Sequence, residues 1–400
     1  VSTKASIPGE SYARRLAGAT AASATAGLQA LLIGVGADLR YLTGYEALAT
    51  ERLTLLVVPA ASRAGAAGPA AHGEPTLIVP RLEAAPALAC AAASSGGVLV
   101  ETWEETQDPL QLVAERLEEA RGPGADRAGA VAVSDSLRAA FVLGLQDVLP
   151  GARFSLASSV LGELRMHKDA DEIELLHAAA RAADRVVAAI AAGRLVGRTE
   201  ADVAREVRDR LVAEGHEEAE FAIVASGPNS ASPHHHPGER VIQAGDPIVL
   251  DIGGTLSGYG SDTSRTLWVT GGDSAKGPDD EFRHLYAVLQ AAQAKATAAV
   301  RPGVPCEGID AVARGLIAEA GYGAAFLHRT GHGIGLEGHE EPYIVDGNAR
   351  PLEPGMAFSI EPGIYLEGRY GARIEDIVVC GDDGVLVLNE QPRELTVVSG

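Results

Sequence analysis

The sequence predicts a mixed α/β chain of two domains, the second carrying an internal repeat. Three observations predict it. The chain has 400 residues, too many for one core, since domains cluster near about 100–150 residues. Short apolar runs alternate with helical stretches through the first part of the chain, the pattern of a sheet with helices packed on it. Long amphipathic helices and two similar glycine-bounded strands follow, the mark of a duplicated unit. The boundary is placed near residue 160, giving domains 1–160 and 161–400.

Taken in order, Ala30 to Val35, Leu53 to Val58, Thr76 to Val79, Val98 to Glu101 and Ala130 to Val133 are apolar runs between turn residues and read as strands. Pro109 to Ala120 and Ser136 to Val148 read as helices. Pro59 to Gly73, rich in Ala, Gly and Pro, reads as a surface loop that carries His72. Gly151 to Ser159 contains no strong element. From Asp171, residues Ile173, Leu176, Ala180, Ala183, Val187 and Ile190 recur in steps of three and four, so a long helix is expected. The repeat then shows itself twice. Leu211 to Gly215 and Leu316 to Gly321 read as matching helix ends. Gly245 to Gly253 and Gly355 to Gly363 share a glycine, five residues, a carboxylate, one residue and a second glycine. Two such units facing each other would bring Asp251 and Glu361 together.

Composition excludes several functions. Lys and Arg number 33 against 54 Asp and Glu, a formal charge of −21, which opposes binding to nucleic acid or to an anionic membrane. Aromatic residues are only 4%, which leaves few platforms for stacking single strands. Val1 to Tyr12 has no apolar run or cleavage pattern, so no signal peptide is expected. No apolar run is long enough to span a bilayer. Cys90, Cys306 and Cys380 form neither a disulfide framework nor a zinc pattern, which fits a cytoplasmic location.

The chemistry sits in the repeat. Asp251 and Glu361 end apolar strands, and a buried carboxylate is costly unless paired or metal-bound. Asp262 follows Asp251 at hairpin spacing across the glycine-rich stretch Gly253 to Gly260, and Glu375 follows Glu361 across another glycine-containing stretch. Four acids brought together repel one another, and divalent cations remedy this. His332, between Gly331 and Gly333, offers an imidazole, and His339-Glu340-Glu341-Pro342 follows it. Four carboxylates and one imidazole suit two oxygen-preferring ions, Mn²⁺ first, with Co²⁺, Zn²⁺ or Fe²⁺ as alternatives. A pair of ions about 3.5–4 Å apart activates water for hydrolysis.

Asp251, Asp262, His332, Glu361 and Glu375, in this order and context, resemble the metal-binding set of the pita-bread metallopeptidases: methionine aminopeptidase, aminopeptidase P and prolidase. The resemblance runs from about Ala170 to Val387 and is tightest at Asp251-Ile-Gly-Gly, Ser261-Asp-Thr-Ser-Arg-Thr, His328 to Pro342, Ile360-Glu-Pro-Gly and Arg373-Ile-Glu-Asp. Arg40-Tyr-Leu-Thr-Gly-Tyr45 resembles a motif of the creatinase-like N-terminal domain. Arg373 and the segment Ala225 to His234 are similar to the Xaa-Pro-specific branch. The resemblance therefore implies a creatinase-like domain followed by a pita-bread domain with a pseudo-two-fold repeat. It implies metal-dependent hydrolysis of the Xaa-Pro bond of dipeptides or short peptides, with Asp262 and Glu375 bridging the metals. It also implies that Glu361 shuttles a proton, that His339 stabilises the oxyanion, and that His234 and Arg373 orient substrate or brace the ligands. Tyr343 stands where some prolidases carry an Arg, which weakens the expected grip on a dipeptide carboxylate, with Arg373, His235 and His236 as substitute cations. His235 and His236 are read as solvated, and His328 as packing near the site. Two readings stay open beside this one: an amidohydrolase of another small substrate, and a non-catalytic peptide-binding protein of the same fold. The expected partners are a peptide with proline second and a second copy of the chain in a homodimer.

Overall fold

A computed structural model describes residues 7–61, 73–121 and 129–399. The described chain divides into two compact units between Arg165 and Met166.

The first unit is a six-stranded mixed sheet in the order Leu99–Trp103, Thr76–Pro80, Leu55–Pro59, Ala30–Gly34, Ala130–Val133, Arg153–Leu156. The central three strands are fully buried, so each is a continuous apolar run with no alternation. Helices Pro109–Arg121 and Ala139–Val148 follow the expected runs closely. The segment read as featureless holds the strand Arg153–Leu156. It is an edge strand paired only with Ala130–Val133, and three of its four residues are exposed. It therefore carries no apolar pattern to read. The helix Gly9–Thr25 also went unread. Most of the loop Pro59 to Gly73, with His72, lies outside the described residues.

The second unit opens with the helix Ala170–Ala192. Asp169, two residues earlier than expected, caps it, and Glu172 returns the bond in a capping box. The unit then runs twice through a helix pair followed by antiparallel strands. The first pass gives Glu200–Ala213 and the meander Glu218–Ser226, Pro247–Leu256, Tyr259–Val269. The second gives helices Asp280–Ala299 and Cys306–Glu319, then Gly331–Gly333, Glu340–Ile344, Ala357–Ile360 and Asp376–Cys380. Asp279 caps the helix Asp280–Ala299 by accepting from Phe282 N at 2.8 Å. The three strands of the first pass, with Thr396–Val398, form a four-stranded sheet, and the four of the second, with Val385–Val387, form a five-stranded one.

The last described stretch is tied into these sheets. Asp184 accepts from Asn389 Nδ2 at 3.0 Å and from the backbone N–H groups of Glu390 and Gln391. Asn389 also reaches Thr263 Oγ1 at 2.8 Å and accepts from Ile377 N at 2.8 Å. Arg265 grips Pro392 O, Gln391 O and the buried Asp376, and donates to Glu375 O. No described helix is long and apolar enough to cross a membrane.

Candidate metal centre and its cavity

The hairpin Pro247–Leu256 with Tyr259–Val269 places the first two acids. Its turn sits at Ser257 and Gly258, both at positive φ, inside the glycine-rich stretch singled out in the sequence. Asp251 pairs with Ser264 and Gly253 with Asp262. Side chains two apart share a face of a strand, so Asp251, Asp262 and Ser264 project together. Glu361 follows the buried strand Ala357–Ile360, and its N–H donates to Thr330 O at 2.8 Å. Glu375 lies between strands, and its N–H donates to Ser264 O at 3.1 Å. One repeat thus hands an acid to the other.

His332 enters on a three-residue strand where backbones touch. A Cβ on Gly331 would stand 1.9 Å from Ser359 O, and one on Gly333 2.3 Å from Glu341 O. Only glycine fits on either side.

These residues converge. Ligand atoms of Asp251, Asp262 and Glu375 lie within 4.8 Å of one another, as do those of His332, Glu361 and Glu375. Three features show that the set fits divalent cations. Glu375 Oε1 is buried without a hydrogen-bond partner. His332 Nδ1 lies 3.1 Å from Gly333 O, so it carries the proton, and the bare Nε2 faces Glu361 Oε1 at 3.3 Å and Asp262 Oδ2 at 3.6 Å. Lone pairs face lone pairs there, which a cation reverses. The carboxyls also hold their protons too tightly. Burial, then Asp251 and Glu361, raises Asp262 well above the usual carboxylate range. Burial, then Asp262 and Glu361, does the same to Glu375. Burial pushes Glu361 up to about 7 against the opposing charge of Arg373. Burial, aided by the neighbouring His339, drops His332 to about 3, so its imidazole is neutral.

Arg373 braces this set. It pairs with Asp251 Oδ2, donates to Ser264 Oγ at 2.8 Å, and reaches Tyr365 OH at 3.0 Å and Pro233 O at 3.2 Å. Ser264 Oγ lies 2.8 Å from Asp251 Oδ1 and 3.1 Å from Glu375 Oε2. His328 Nε2 accepts from Tyr365 OH at 2.9 Å while Nδ1 donates to Arg329 O at 2.8 Å. Burial holds His328 down at about 4, so it stays neutral.

A cavity of about 670 Å³ opens over the acids, and His234, His328, Arg329 and His339 help to line it. The His339 ring lies 3.8 Å from that of His332, and a ligand atom of it is within 4.8 Å of ones from Asp262 and His332. Arg329 Nη2 donates to its Nδ1 at 3.2 Å, which puts the His339 proton on Nε2. Lys168 pairs with the adjacent Glu340, and both are buried at the side chain.

Similarity to known proteins frames these observations. Residues 174–382 match metallopeptidase family M24, and residues 15–167 match the creatinase/prolidase N-terminal domain. The chain is 50% identical over 390 residues to a probable dipeptidase PepE of Mycobacterium bovis, covering 97% of each. The chain belongs to metallopeptidase family M24. The crystal structure of dipeptidase PepE from Mycobacterium ulcerans superposes with a TM-score of 0.87 at 49% identity, covering 98% of this chain and 99% of that one. An Xaa-Pro dipeptidase of Lactobacillus helveticus is 37% identical over 299 residues, 74% of this chain and 78% of that protein. The expected architecture, a creatinase-like domain followed by a pita-bread domain, is the one found, and the M24 domain is that of a metallopeptidase that binds divalent metal.

Some of this lay beyond the sequence reading. Glu220, from the strand Glu218–Ser226, also lines the cavity. His235, read as solvated, sits 2.7 Å from the buried Glu200. Arg329 went unread, although its place beside His328 within the tightest motif was a signal. Ser264 and Tyr365 carry no signal, since a hydroxyl becomes informative only when its neighbours are known.

Proposed function

We propose that this chain hydrolyses the Xaa-Pro bond of dipeptides at a dinuclear metal centre. The convergence of Asp251, Asp262, His332, Glu361 and Glu375 beneath one cavity carries the reading. Two Mn²⁺ ions are the proposed occupants, because the donors are mostly hard oxygens. Bound there, divalent ions neutralise the acids, acidify a shared water and polarise the scissile carbonyl.

The residues divide the remaining tasks. Asp262 and Glu375, which each belong to two of the converging groups, would be shared between the two ions. Glu361 takes the proton of the attacking water and passes it to the prolyl nitrogen. His339 presents Nε2–H to the developing oxyanion. His234, also in the cavity lining, orients substrate. Arg373 is committed to Asp251 and Ser264 and acts as a brace, not as the grip on a carboxylate.

That grip falls to Arg329. Its guanidinium stacks 4.3 Å from the Tyr343 ring centroid and lines the cavity. It restores the cation that position 343 lacks, and it matches a free dipeptide carboxylate better than an amide or a longer chain. The deciding assay compares Ala-Pro, Ala-Pro-Ala, Ala-Pro-amide and Met-Ala under Mn²⁺, Co²⁺ and Zn²⁺. Ala-Pro is expected to be the best substrate, and higher turnover of Met-Ala would overturn the proline reading.

A cytoplasmic homodimer completes the proposal. Cys90, Cys306 and Cys380 are all buried free thiols, as a reducing compartment permits. Leu82, Leu88 and Leu99 give the first unit an exposed apolar surface, which a second copy would cover. Sedimentation at low protein concentration tests the dimer.

A further inference from the structure

Glu200 opens the helix Glu200–Ala213, and its side chain is fully buried. The helix N-terminus favours an acid there, but a buried charge needs partners. One segment supplies nearly all of them. Glu200 accepts from Ser226 N at 2.8 Å, Ser226 Oγ at 2.7 Å, Asn229 Nδ2 at 3.0 and 3.2 Å, and Gly238 N at 3.4 Å. His235 Nε2 lies 2.7 Å from Oε2. The same segment closes back on the helix, where Glu200 N donates to Arg240 O and Ala201 N to Gly238 O, both at 3.0 Å. Burial alone would raise the Glu200 pKa; the bonds from Ser226, His235 and Asn229 outweigh it and hold the carboxyl below its ordinary value.

The chain between these anchors carries His234 into the cavity. On one side of His234, Pro233 O accepts from Arg373 Nη1 at 3.2 Å. On the other, His235 is tied to Glu200. His234 is therefore held between two charges, one of which also grips the ligand Asp251. Neither Glu200 nor His235 lines the cavity.

We infer that Glu200 and His235 are positioning residues for the peptidase reaction, fixing His234 at the substrate without touching substrate themselves. The inference rests on the proposed Xaa-Pro peptidase reading and on the role of His234 within it. Misplacing a substrate-orienting group by about 1 Å costs on the order of 10²-fold in rate, so the tie has a measurable consequence.

The test is a double-mutant cycle on the full-length, Mn²⁺-loaded protein with Ala-Pro as substrate. His235→Leu removes the donor to Glu200, and His235→Gln keeps an N–H at nearly the same reach. His235→Leu is expected to lower kcat/KM by about 10- to 100-fold, with metal content unchanged, and His235→Gln to restore most of it. In a His234→Ala background, His235→Leu should cause little further loss, because its effect passes through His234. Glu200→Gln, which keeps an acceptor oxygen for Ser226 but turns the atom facing His235, Asn229 and Gly238 from an acceptor into a donor, provides a second entry to the same cycle should the Leu variant fail to fold. If His234→Ala alone leaves Ala-Pro hydrolysis intact, the assignment of His234 fails, and this inference with it. If His234→Ala is damaging but the second substitution multiplies the loss in full, or if His235→Gln rescues nothing, the positioning role alone is overturned.

Discussion

At the scale of single residues, the division of labour around the cavity makes two predictions. His339 takes a hydrogen bond from Arg329 on Nδ1 and offers Nε2–H, so it serves as a donor. His339→Ala should keep its full metal complement by elemental analysis and lose on the order of 10²–10³ in kcat, the range for removing one oxyanion donor. Loss of a metal equivalent would make His339 a ligand instead. Arg329→Ala should raise KM for Ala-Pro by about 10- to 100-fold, the value of one charge-assisted hydrogen bond. It should also narrow the gap between Ala-Pro and Ala-Pro-amide, and an unchanged ratio of kcat/KM would place the carboxylate elsewhere. That Asp251 and Glu361 would lie close to the other acids was legible because a carboxylate at the end of an apolar strand has few structural uses. Arg329 was not, since an arginine reads as a surface residue until Tyr343 and His339 are seen beside it.

At the scale of elements, the buried strand Leu55–Pro59 declared itself and the exposed edge strand Arg153–Leu156 stayed hidden. Leu55–Pro59 is buried along its whole length, whereas Arg153–Leu156 pairs on one side only. The duplicated helix–helix–strand pattern was legible from two glycine-bounded strands. How far the repeats interlock was not, because the bond from Glu375 N to Ser264 O is a fact of distance in space. The glycines beside His332 give this scale its prediction. Gly331→Ala drives a methyl into the Ser359 carbonyl, and overpacking of this kind costs about 1–3 kcal/mol. The variant should melt lower and bind metal more weakly, both read by thermal denaturation with and without Mn²⁺. Wild-type melting and metal affinity would show that the strand has room to move.

At the scale of the whole molecule, the acids link stability to pH and to metal. In metal-free protein, Glu361 titrates at about 7 rather than at its ordinary 4.5, and Asp262 and Glu375 shift the same way. The folded state thus binds protons more tightly than the unfolded chain. The stability from Glu361 is present in full below about pH 4.5 and is lost as pH rises through about 7. The melting temperature of chelated protein should therefore fall further below that of Mn²⁺-loaded protein as pH rises from about 5 to about 7.5. A gap independent of pH would show that proton binding and metal binding are not linked at these acids.

The clasp of Asn389, Glu390 and Gln391 on Asp184, and of Arg265 on Gln391 and Pro392, sets a timetable for the nascent chain. A ribosome adds about 5–20 residues per second, so on the order of ten seconds separates the synthesis of Asp251 from that of Gln391. Throughout that interval the first two acids exist without the segment that locks Asp376 and, through Arg265, the carbonyl of Glu375. The clasp can thus secure Glu375 only after Gln391 and Pro392 have been added to the chain.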